Sequence, residues 1–219
     1  MGNLDHDLES LQQDIIVLSS RVQEMFEKSC RALQRRDVNL GREVCAQEPQ
    51  IDDAEVAIEE SCLTLLALHR PVAASLRWVA TILKINNDLE RIADLAVNIA
   101  ERTSSLALLD AIPTSPGVDR MVSGALQMVN TSIDSLIKRD TNLAKQVIDQ
   151  DDQVDADNRE VITQIYEMVK SQPLNVEAAL HFFSAVRHIE RVADHATNIA
   201  EDVIYLVDGE IARHKKNDD

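Results

Sequence analysis

Glu90-Arg91-Ile92-Ala93-Asp94-Leu95-Ala96-Val97-Asn98-Ile99-Ala100-Glu101 is written a second time, as Glu190-Arg191-Val192-Ala193-Asp194-His195-Ala196-Thr197-Asn198-Ile199-Ala200-Glu201. Nine of these twelve positions are identical. Leu89, Ile92, Ala96 and Ile99 keep the spacing of a buried helical seam, which explains why the apolar residues recur. Packing does not explain the recurrence of Glu, Arg, Asp, Asn and Glu, because polar positions on a helix drift freely. Those residues are where function is to be sought.

The repeat reaches well beyond this stretch. Arg36-Asp37-Val38-Asn39-Leu40 matches Arg139-Asp140-Thr141-Asn142-Leu143 at an offset of 103, Met25 matches Met128, and Ile51-Asp52 matches Val154-Asp155. At the acidic motif the offset has fallen to 100, so one connection in the second copy is shorter. Residues 8–104 and 111–205 are two copies of one unit. Ile112-Pro113-Thr114-Ser115-Pro116-Gly117 is a breaker cluster between them. The expected units are therefore 1–107 and 108–219.

Each copy reads as three helices. Leu11, Ile15, Leu18, Val22, Met25 and Cys30 mark the first. Asp37 and Asp140 are placed to cap the second helix of each copy. That helix continues through Ile51, Ile58, Cys62 and Leu65, with Pro49 expected to kink it or start a fresh turn. Pro71 is expected to open the third helix, and Pro173 its counterpart, where a missing amide donor costs nothing. Short connections make successive helices antiparallel. The expectation is an all-α protein of two tandem, pseudo-symmetric three-helix bundles. Six aromatics and five glycines in 219 residues agree with it.

A net charge of −16 argues against nucleic acid, whose phosphates need clustered Lys and Arg, and against a grip on anionic lipid. There is no 18-residue apolar run and no charged-then-apolar leader, so a cytoplasmic chain is expected. Cys30, Cys45 and Cys62 align with Ile133, Ile148 and Ile165, which marks them as core positions rather than a redox or metal set.

Antiparallel helices place residues equidistant from a tight turn at one height. With the turn at Pro71, Glu48 falls opposite Asp94 and Asp52 opposite Glu90. With the turn beside Pro173, Asp151 falls opposite Asp194 and Asp155 opposite Glu190. Each hairpin thus carries two acidic i,i+4 pairs at matching heights. Like charges so gathered repel unless protons or cations intervene. Hard cations want oxygen ligands, which makes Glu48, Asp52, Glu90, Asp94, Asp151, Asp155, Glu190 and Asp194 candidate metal ligands. Zinc is less typical without Cys or His. Against this stands a solvated acidic stripe: Glu90, Asp94, Asn98 and Glu101 lie nearly opposite the Leu89–Ile99 seam, so any site is a shallow one. His181, His188 and His195 recur every seven residues and read as surface residues, although His195 is placed to supply a nitrogen ligand. Arg91 and Arg191 read as partners of neighbouring carboxylates. Leu106, Leu108, Leu109 and Ile112 form a candidate exposed flank for a homodimer.

The duplicated Leu89–Asp94 and Ile189–His195 motifs, with Pro71-Val72-Ala73-Ala74-Ser75-Leu76-Arg77 and the two Arg-Asp elements, resemble the PhoU family over nearly the whole chain. The resemblance implies two three-helix bundles and acidic motifs that bind metal clusters, with iron first among the candidates and zinc, magnesium, manganese or calcium after it. It implies a non-enzymatic negative regulator of the phosphate-starvation response. That regulator would act at the inner face of the membrane through its partners, the ATPase of a phosphate ABC transporter and a sensor histidine kinase. Pro49 departs from the family pattern and makes the second acidic site the safer expectation. The alternatives are a carboxylate-bridged di-metal oxidase, whose Glu-x-x-His pairs this chain lacks, and a metal-free helical scaffold.

Overall fold

The computed structural model describes residues 2–111 and 116–209. Six long helices make up the fold: α1 (Gly2–Arg35), α2 (Val38–His69), α3 (Ala73–Ala107), α4 (Pro116–Lys138), α5 (Thr141–Ser171) and α6 (Val176–Asp208). They form two three-helix bundles, α1–α3 and α4–α6. No strand occurs among the described residues, and no helix there is long and apolar enough to cross a membrane. Residues 112–115, which hold most of the breaker cluster, lie outside the described residues, while Pro116 and Gly117 open α4.

The repeated Arg-Asp element is a two-residue joint between helices. Arg36 and Arg139 take left-handed backbone angles, φ 54 and 51. Asp37 N then donates to Ala32 O at 2.9 Å, and Asp140 N to Ser135 O at 3.0 Å, closing the C-terminal end of the preceding helix. The Asp side chains cap the next one. Asp37 Oδ1 accepts from Asn39 N and Leu40 N at 3.0 and 3.1 Å, and Asp140 Oδ1 from Asn142 N and Leu143 N at 2.8 and 3.4 Å.

The proline expectations need correction. α2 runs on through Pro49, which stands on its exposed side, rather than starting a fresh turn there. Pro71 is buried before α3 rather than in it; Val72 is the cap, and Ala73 enters the helix at φ 51. Pro173 starts a short 3-10 turn, Pro173–Asn175, and α6 follows at Val176.

α3 and α6 lie against each other and run antiparallel, so that Asp88 meets His195 and Arg102 meets His181. This pairing gives α3 a buried face beyond its seam: Asp88 and Leu95 are covered along with Leu89, Ile92, Ala96 and Ile99. A continuous apolar core runs through both bundles. Cys30 and Cys62 lie in it, as do their counterparts Ile133 and Ile165, and burial pushes both thiols up to about 12. Cys45 and Ile148 are half-buried against it.

The expected dimer flank is mostly spent inside the molecule. Leu106 is buried and Leu109 packs against the core, because the Arg36 guanidinium donates to the carbonyls of both and holds the end of α3 down. Leu108 is exposed, and Ile112 lies outside the described residues.

Candidate metal-binding clefts

In the first copy Glu48 and Asp52 stand on α2, facing Glu90 and Asp94 on α3. Glu48, Glu90 and Asp94 are half-buried and Asp52 is exposed. The acidic stripe is therefore not simply a solvated face: helix packing turns it into the wall of a cleft. Glu48 has its pKa raised, by desolvation and then by the charges of Asp52, Asp94 and Glu101. Glu90 is raised too, by desolvation and then by Asp94, with Arg91 opposing and Glu55 adding to the repulsion. The charge of Asp94 thus reaches Glu48, as the turn geometry expects, whereas the α2 charge that bears on Glu90 is that of Glu55 rather than the expected Asp52. Arg91 lies across the cleft mouth, its Nε 3.2 Å from Glu90 and its Nη1 3.2 Å from Asp94.

In the second copy Asp151 and Asp155 stand on α5, and Glu190 and Asp194 on α6. Glu190 is the most enclosed, with a side chain 12% exposed. Its pKa is raised by desolvation, against the pull of Arg187, with Asp155 and Asp151 adding to the rise. Its Oε1 accepts from Arg187 at 2.7 Å, while its Oε2 is buried and has no hydrogen-bond partner. A buried carboxylate oxygen without a donor is costly, and a cation is the ligand that satisfies it. Asp194 is exposed at its rim, yet its pKa is raised to about 6 by desolvation and then by Glu190, Asp151 and Asp155, with His195 opposing. Asp155 has Arg159 at 3.7 Å.

Among the described residues no three His, Cys, Asp or Glu side chains already stand in position to close on one ion. Arg91 draws the acids of the first cleft to itself, and Arg187 draws Glu190. Convergence of the carboxylates is thus electrostatic crowding in a shared cleft, not a finished ligand shell. The donor set of the second cleft fits a hard cation through the stranded Glu190 oxygen. In the first, Arg91 already supplies a positive charge.

The histidines are not surface residues. His195 Nδ1 lies 2.8 Å from Asp88 Oδ1, and Asn198 donates to the same oxygen at 3.3 Å. Asp88 is only 8% exposed, so this contact sits inside the joint between the copies. His188 is half-buried, with its pKa lowered by desolvation and then by Arg191 and Arg102, and His181 lies 3.4 Å from Arg102. They looked exposed from sequence because His195 and His181 meet partners on α3, 107 and 79 residues away. Glu101 and Glu55 also bear on the first cleft. Glu101 was visible as part of the repeated stripe, and Glu55 as the next acid on the face of α2 that carries Glu48 and Asp52.

A duplicated three-helix unit with a half-buried acidic cleft in each copy defines the class: a helical binding protein built by internal repetition. The chain belongs to the PhoU domain family, whose model matches residues 15–103 and 118–203. It is 40% identical to a protein of Aquifex aeolicus named phosphate-specific transport system accessory protein PhoU homolog, over 95% of each chain. It is 32% identical to the Deinococcus radiodurans protein of that name, over 94% of this chain and 97% of the relative. The crystal structure of PhoU from Pseudomonas aeruginosa superposes with a TM-score of 0.92 at 31% identity, covering 95% of this chain and all of that one.

Proposed function

We propose that this chain is a non-enzymatic negative regulator of phosphate uptake and phosphate-starvation signalling. It acts in the cytoplasm as an adaptor between the ATPase of a phosphate ABC transporter and a sensor histidine kinase, and it carries cations in its acidic clefts. Family membership and the names of its relatives support the link to phosphate transport. The observation that carries the cation is the buried, donorless Oε2 of Glu190 beside Asp151, Asp155 and Asp194. A bound hard cation, iron first, would neutralise the four acids and offer coordination to oxygen ligands of phosphate or of a partner. An acidic chain has no other ready means of meeting an anion.

Elemental analysis of the purified protein tests the cation. Wild type should carry metal, and Glu190→Gln with Asp194→Asn should lose most of it; equal content in both would reject the second cleft. Arg91 favours a metal-free scaffold reading for the first cleft, under which Glu90→Gln leaves the metal content unchanged. Capture of partners from cells shifted between high and low phosphate tests the adaptor role.

A further inference from the structure

The two copies differ in the valley between their first two helices. In the second copy Arg120 on α4 spans that valley to Asp157 and Glu160 on α5, at 3.1 and 2.7 Å. At the repeat offset of 103, Val17 stands in the place of Arg120, Ala54 in that of Asp157 and Ala57 in that of Glu160. None of the three can form the strap. The valley between α1 and α2 is accordingly open, in two contiguous stretches of about 480 and 270 Å³ that share Asp14, Ala57 and Ser61. Its floor is apolar, from Leu11, Leu18, Ile58 and Leu65, which are buried in the core. Its edges carry exposed Val17 (44%) and Leu68 (73%). Asp7, Asp14 and Glu60 line it against Arg21 and His69, and the His69 ring meets Asp7 at 2.8 Å.

We propose that this groove is a docking site for a basic amphipathic helix of a protein partner. The lining runs along α1 from Asp7 to Arg21, about 21 Å at 1.5 Å per residue, which accommodates a helix of about 14 residues. Ala54, Ala57, Ser61 and Thr64 present short side chains, so an incoming helix axis can approach to about 8 Å. Its apolar face packs on Val17, Ala57 and Leu68, over the buried leucines and Ile58 beneath, and its Lys or Arg residues reach Asp14 and Glu60 at the rim. The same carboxylates repel nucleic acid and anionic lipid, and a net charge of −16 per chain disfavours a second copy. None of this depends on whether the acidic clefts hold cations.

The test transfers the strap. Val17→Arg with Ala54→Asp and Ala57→Glu builds in the first copy the ion pairs that bridge the valley in the second. The probe is a fluorescent amphipathic peptide of lysine and leucine, about 14 residues long, followed by anisotropy, with a glutamate–leucine peptide of the same pattern as its negative. Strap installation should weaken binding by about tenfold or more, the loss expected when a contact face is blocked. Because the strap makes the chain more negative, loose charge attraction alone would leave binding unchanged, and that result overturns the proposal. Asp14→Lys with Glu60→Lys, both exposed positions, should give the same loss without touching the core. Asp152→Lys with Glu167→Lys on α5 makes an equal charge change and should not; equal loss in this control also overturns it. A shift from dimer to monomer on strap installation, with peptide binding intact, would assign the groove to self-association and overturn it as well.

Discussion

Asp194 and His195 are chain neighbours, yet their side chains answer to different partners. Asp194 shares a cleft with Glu190, Asp151 and Asp155, while His195 reaches across to Asp88. The first relationship was legible because the acids recur at fixed spacing in both copies. The second was not, since the counterparts of His195 and Asp88 are Leu95 and His188, and no repeat marks the contact. The crowding of Asp194 has a consequence for stability. Its folded pKa of about 6 lies above the ordinary 3.8, so the folded chain holds that proton more tightly than the unfolded chain. In the presence of a chelator, stability is therefore lost as pH rises from about 4 through about 6, and the loss is complete above that range. Solvent at the exposed rim screens the effect to about 1 kcal/mol. Asp194→Asn should gain that amount relative to wild type between pH 4 and pH 7.5, as read from urea unfolding at both. A difference that does not change with pH would contradict the crowding.

At the scale of helices, the joints were legible and the prolines were not. Asp37 and Asp140 cap as their side-chain chemistry dictates, because an N-cap depends only on residues two and three places ahead. Arginine in a left-handed joint is less expected than glycine, and at position 36 its side chain gives the reason: it closes the far end of α3. Whether Pro49 would break α2 depended on what faces its freed carbonyl, which only packing decides. The helix continues there because neighbours such as Val44, Ile51 and Ile58 hold it to the core on the opposite side. That continuation is bought with helix stability. A proline inside a helix costs about 3 kcal/mol relative to alanine. Pro49→Ala should thus raise the free energy of unfolding by about 2 kcal/mol, allowing for relaxation around the site. A urea titration that shows no gain or a loss would mean that α2 is shaped around the proline.

For the molecule as a whole, the internal repeat announced two bundles but not how they join. Periodicity shows one apolar seam on α3, whereas the folded helix also covers Asp88 and Leu95 in the joint with α6. That second covered face lies beside the seam rather than on the acidic stripe, and its polar member Asp88 hides it from an apolar-spacing argument. The joint combines apolar packing with an enclosed polar contact, Asp88 with His195, and a half-exposed one, Lys84 with Asp202 at 3.0 Å. If either copy unfolded alone, the other would expose the apolar flank of its third helix to water and lose these contacts. The two copies should therefore unfold together. Trp78, the chain's sole tryptophan, offers a local reporter in the first copy, and Arg139 of the second lies 4.8 Å from the centre of its ring. Its fluorescence and the far-ultraviolet circular dichroism of all six helices should follow one urea transition with one midpoint. His195→Leu leaves Asp88 with only Asn198 from its two α6 donors and should move both signals together to lower urea, by about 3 kcal/mol. Separation of the fluorescence midpoint from the dichroism midpoint, in either protein, would mean that the joint is a contact between independent domains rather than part of one core.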